Sequence, residues 1–184
     1  MASHHATIKL DLRQMMVCVL VGVIAGVIAS VAERADAAIT GGNATPLGFL
    51  NAYTWLMLSA VIYGPLGALV TTEVQALIGL ITMANPLSWL WPFINAIFAI
   101  AAGTASALIQ RLRSDTGILM RVVAVSFICA LIDIPATYFV MVVVLGLPLI
   151  AYYVALPLYL GLQLLPATFL TYLLMKTLES TKIV

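Results

Sequence analysis

The sequence predicts an all-α integral membrane protein, a bundle of six transmembrane helices, and three observations predict it. Hydrophobic residues make up 64% of the 184 residues and charged residues only 8%, with a mean hydropathy of +1.15. A soluble domain carries about 25% charged residues, so this chain has too few to cover a water-facing surface. Its apolar residues fall into six runs, each near the ~20 residues needed to cross a bilayer. Laying those runs out as six crossings then gathers nearly all the basic residues on one side.

The runs follow in order. The first span is 14–31, "QMMVCVLVGVIAGVIASV". The second is 47–63, closed by Gly64 and Pro65, the strongest local breakers in the chain. The third is 66–84, ended by the turn pair Asn85–Pro86. The fourth is 87–110, the fifth 117–145 with "LGLP" at its close, and the sixth 149–176. Together they form one membrane domain, 14–178, between short tails at 1–13 and 179–184.

With six crossings, Lys9, Arg13, Arg111, Arg113, Arg121, Lys176 and Lys182 share one side and Arg34 alone lies on the other. Cytoplasmic loops carry the excess of Lys and Arg. The pattern therefore predicts a plasma-membrane protein with both termini cytoplasmic and with 32–46, 85–88 and 145–149 outside. A formal net charge of +1, its basic residues already placed at a membrane boundary, excludes a nucleic-acid partner; the surrounding medium is lipid.

Enzyme chemistry finds little footing. Cys18 and Cys129 lie inside apolar runs with no metal-ligand spacing, and His4 and His5 precede the first span. No GxxxxGK[ST] and no HExxH occurs. Convergent acid, base and nucleophile groups are too few for a catalytic site, so the reading names no catalytic residue, no metal and no cofactor.

What lies in the membrane besides carbon points to binding. Glu73 and Asp133 fall in the third and fifth spans, and intramembrane acids usually face a cavity or a partner. Asn95 and Gln163 lie at comparable depth in the fourth and sixth. Trp89, Trp91, Tyr138 and Tyr152, with Asn85, concentrate toward the external side. Such aromatics form either an interfacial belt or the stacking wall of a pocket for a flat heterocycle. Pro135, Pro157 and Pro166 interrupt spans, and irregular backbone at membrane depth tends to line a cavity. In the first span Gly22, Ala25, Gly26 and Ala29 share one helical face. Such a small-residue stripe allows close helix contact, inside the protein or with a partner.

Two stretches carry a resemblance. "YGPLGALVTTEVQALIGL" (63–80) is similar to the Gly-Pro turn and Gly/Ala-rich third helix of the substrate-binding S components of energy-coupling factor (ECF) vitamin transporters. "AGVIA" (25–29) is similar to their AxxxA element. The third span with its closing "NP" looks like the hydroxymethylpyrimidine/thiamine branch of that family. The resemblance implies a six-helix S-component bundle that binds a small vitamin or precursor from outside. It implies partners as well: a transmembrane coupling subunit, docked on the Gly22/Ala25/Gly26/Ala29 stripe, and two ATPase subunits. The residues alone leave two alternatives open. One is an autonomous proton-coupled carrier using Glu73 and Asp133; the other is a structural membrane subunit without a ligand.

Overall fold

In the computed structural model of the chain, residues 10–41, 45–83, 87–112 and 117–181 are described, and among them every regular element is helical. Helix α1 spans Leu12–Thr40. It starts at a reciprocal cap: the Asp11 carboxylate accepts from Gln14 N at 2.7 Å, and the Gln14 side chain accepts from Asp11 N at 3.1 Å. It ends at Gly41, whose φ of 67° is the left-handed geometry that stops a helix. The helix thus runs nine residues beyond the predicted end at 31, into what the sequence reads as an external loop.

Helix α2 spans Pro46–Thr82, with Gly64 at φ 68°, ψ −157° inside it. A straight helix would separate Leu47 from Thr82 by about 52 Å. Yet Leu47 N donates to Asp36 at 3.1 Å, and the Thr82 hydroxyl lies 2.8 Å from the Ser30 hydroxyl. Ser30 and Asp36 are only about 9 Å apart along α1. The chain therefore folds back at Gly64, where glycine supplies the positive φ and Pro65 begins a new arm. The two arms, 46–63 and 65–82, match the predicted second and third spans.

A short 3-10 turn, Ser88–Leu90, leads into α3, Trp91–Leu112. Helix α4, Ile118–Tyr138, continues as a π-helical stretch, Phe139–Val144. Pro135 lies within the regular part of α4, so the irregular backbone begins after it and not at Asp133. Helix α5, Leu149–Leu162, passes through a second π-helical stretch, Gln163–Ala167, into α6, Thr168–Ser180. Five of the resulting helices are long and apolar enough to cross a membrane: Leu12–Thr40, Pro46–Thr82, Ser88–Arg111, Ile118–Val144 and Leu149–Ser180.

Long-range hydrogen bonds set the directions. Thr71 donates to Cys18 O and Asn51 to Ala25 O, so the second arm of α2 runs with α1 and the first runs against it. Asn95 donates to Thr72 O, while a methyl group on Gly103 would meet the Pro65 backbone at 2.3 Å, so α3 descends beside the second arm. At one end of the bundle Arg121 donates to Val61 O and to Ser106 Oγ. Arg13 and Arg111 lie toward this same end, called here the basic end. At the other, Asp36 caps the first arm, accepting from Leu47 N and Gly48 N.

The small-residue stripe of α1 is internal. Ala25 and Ala29 are buried, and a Cβ on Gly22 or Gly26 would sit 2.6 Å from Thr71 O or Ile78 Cβ. This corrects the expectation that Gly22, Ala25, Gly26 and Ala29 meet a partner subunit. Smooth helix faces let backbones approach closely, and here the second arm of α2 fills that groove. The core is densest toward the basic end, where Ala60, Ala68, Ala102, Val122 and Val125 have no exposed surface.

Candidate functional site: an aromatic-walled cavity

Asp36 fixes the start of the first α2 arm against α1, and Gly64 returns the second arm to the same level. Between these arms, α3 and α4 lies a cavity of about 210 Å³. That is below the roughly 300–1,000 Å³ of drug-sized ligand pockets and suits only a small molecule. From the second arm, Thr72, Gln75, Ala76 and Gly79 face it, spaced i, i+3, i+4, i+7 on one helical face. From the first arm come Gly48, Phe49, Ala52, Tyr53 and Leu56. Helix α3 gives Trp91, Ile94, Asn95 and Phe98; α4 gives Asp133, Ala136 and Thr137. Glu33 of α1 and Tyr159 of α5 complete the polar and aromatic lining.

The aromatic wall is continuous. Phe49 packs on Tyr53 at 4.3 Å and on Tyr159 at 4.7 Å between ring centroids, and Tyr53 meets Phe98 edge-on at 5.4 Å. Such rings supply a large apolar contact for a flat ligand.

Polar groups converge within this wall. Asp133 Oδ1 accepts from the Tyr53 hydroxyl at 3.0 Å and from the Thr137 hydroxyl at 3.3 Å. These two donors orient the carboxylate, and its second oxygen, Oδ2, is buried without a partner. Glu33 Oε2, Gln75 Oε1 and Trp91 Nε1 are likewise buried and unpartnered, and all four residues line the cavity. Buried polar groups in proteins are almost always hydrogen-bonded, so four such atoms on residues lining one space single it out as the candidate site. Three are acceptors and one is a donor. No Lys, Arg or His lines the cavity among the described residues, nor do they hold a cluster of potential metal ligands.

Of the residues singled out from sequence, the fold brings Trp91, Asn95 and Asp133 together on the cavity. Asn95 donates to Thr72 O at 3.4 Å, linking α3 to the second arm. Five others do not line the cavity. Glu73 is half-buried, rotated by one residue from the face that carries Thr72 and Gln75, on a side shared with exposed Leu66 and Leu77. Trp89 is largely exposed. Tyr138 packs edge-on against Tyr152 at 5.5 Å, and Tyr152 donates to Ile134 O, bracing the upper part of α4. Gln163 is fully buried at the π-helical stretch, donating to Ser126 O. Asn85 lies outside the described residues. Glu33, Gln75 and Thr137 were not singled out from sequence, although Gln75 follows Thr72 at helical spacing.

No known family, characterised protein or solved structure matches the chain.

Proposed function

We propose that this chain is the substrate-binding membrane subunit of an ECF-type transporter, taking up a small vitamin or vitamin precursor, with a thiamine-related compound favoured. The observation that carries this reading is the convergence of four unpartnered buried polar atoms on an aromatic-walled cavity of about 210 Å³. This lining offers shape, stacking and hydrogen bonds, which are the means of a binding protein.

On this reading the two arms of α2 count as separate crossings, six in all, and the first and last described helices have Arg13 and Lys176 toward the basic end. The positive-inside rule then assigns that end to the cytoplasm and the cavity to the outer half of the membrane. A ligand enters from outside, and a coupling subunit with two ATPase subunits drives its release inside. Because the α1 stripe is internal, the coupling subunit docks on another surface. The chain itself performs no chemistry.

The test is uptake of labelled thiamine and hydroxymethylpyrimidine by cells lacking their own transporters. The expected result is uptake that needs both this chain and the partner ATPases. Accumulation in liposomes holding this chain alone, driven by a pH gradient, contradicts the reading and identifies an autonomous carrier.

A further inference from the structure

From the cavity's polar groups we infer that the site selects an unphosphorylated, amine-bearing flat heterocycle, held by Asp133 at the floor and Glu33 at the mouth, and rejects its phosphate esters. The inference rests on the cavity's being the ligand site. Asp133 is 3% exposed and Gln75 7% exposed; both residues line the cavity, and each has a buried oxygen without a partner. A carboxylate whose other oxygen is already held by Tyr53 and Thr137 is a fixed acceptor. The group that satisfies it is a hydrogen-bond donor, an O–H or, as in an amine, an N–H.

Glu33 supplies a second acceptor nearer the mouth. Its side chain packs against Gly48, whereas Asp133 is bound to Tyr53, five residues further along the same arm. The two carboxylates therefore meet this arm at points five residues, about 7.5 Å of helical rise, apart. That length suits a ligand with donors at both ends, or one ring with an amino group below and a polar substituent above.

A phosphate ester meets the opposite conditions. Its two negative charges would enter a space lined by two acidic side chains and, among the described residues, by no Lys, Arg or His to offset them, and burying an unpaired charge is costly. The one cation at the mouth end among the described residues is Arg34, which is exposed and donates to Thr82 O. It does not line the cavity. A phosphorylated form outside the cell must therefore first be hydrolysed. Water cleaves the P–O bond, inorganic phosphate leaves, and the free alcohol becomes the ligand.

The experiment is calorimetric titration of the purified protein in lipid nanodiscs. The probes are thiamine and 4-amino-5-hydroxymethyl-2-methylpyrimidine, each beside its phosphate monoester, with biotin and pantothenate as carboxylate comparators. The expected result is that at least one amino compound binds and that its ester binds at least about a hundredfold more weakly. Asp133→Asn and Glu33→Gln should each weaken the amino compound about tenfold to a hundredfold while leaving thermal stability intact. The double variant should narrow the gap between amine and ester. An ester bound as tightly as its alcohol, a carboxylate comparator bound in place of the amines, or no amine bound at all overturns the inference. An anionic ligand whose uptake still needs the ATPases removes this inference and leaves the transporter reading. A phosphate-rejecting site on a chain that transports alone does the reverse.

Discussion

The two halves of the bundle fill the space between their helices in different ways. Toward the basic end, small residues close the space. Gly103 lies against the Pro65 backbone, and Arg121 ties the first arm of α2 to α3 and α4 through Val61 O and Ser106. Toward the mouth, the same helices separate around a cavity and leave Asp133, Gln75, Glu33 and Trp91 with buried atoms unpartnered. Alanine, glycine and valine are abundant in both halves, so composition does not explain the difference. The mouth half gathers four unpartnered buried atoms on residues around one cavity, whereas the basic end leaves one, Arg121 Nε, within a packed interior.

The largest effect should come from putting side chains where each half has or lacks room. Gly103→Leu drives carbon into the Gly64–Pro65 backbone and should remove about 3 kcal/mol or more of stability, read as loss of the folded peak in detergent gel filtration. Gly79→Leu points into open space in the cavity, where an added Cβ meets nothing within 4 Å, and should fold normally. Equal damage from both would erase the contrast.

Arg121→Met comes next. Losing a charged donor to two buried acceptors should lower stability by about 1.5–3 kcal/mol without changing ligand affinity, measured by thermal unfolding and titration on the same preparation. Tyr53→Phe should have a smaller effect, about 1 kcal/mol of stability. It also frees Asp133 to reorient, so ligand affinity should fall by a few-fold. An affinity unchanged by Tyr53→Phe would argue that Asp133 is not oriented for a ligand.

Glu73→Gln should do least to binding. Glu73 does not line the cavity, and its Oε1 is buried without a partner among the described residues. Removing that charge should leave affinity unchanged and hold or raise thermal stability, since an uncompensated carboxylate at membrane depth is unfavourable. A tenfold loss of affinity would restore Glu73 to the site and shift the functional boundary between the two halves.

Glu73 also shows what the sequence can convey. Hydropathy predicts the helices, Gly64–Pro65 the fold-back, depth singles out Asp133 and Asn95, and position at the external end singles out Trp91, all three of which line the cavity. Depth does not give rotation about the helix axis. Thr72 and Glu73 differ by one residue and about 100°, and only Thr72 faces the cavity. Glu33 was hidden for another reason. Charges at 33, 34 and 36 read as a loop, but α1 continues because Asp36 caps the first arm of α2 from alongside, a contact that exists only after the chain has folded back. The stripe at Gly22–Ala29 was legible as a close-packing face, while its partner, the second arm, was a matter of tertiary structure.

The central claim is that the mouth cavity is a ligand site. Native mass spectrometry of the gently purified protein, compared with a Gly79→Phe variant that fills the cavity, tests it most directly. The account predicts a small bound molecule on the wild-type chain and its loss from a folded, equally or more stable variant. Identical adduct masses on both proteins, or a wild-type chain without any bound molecule after purification in the presence of the thiamine-related probes, would contradict it.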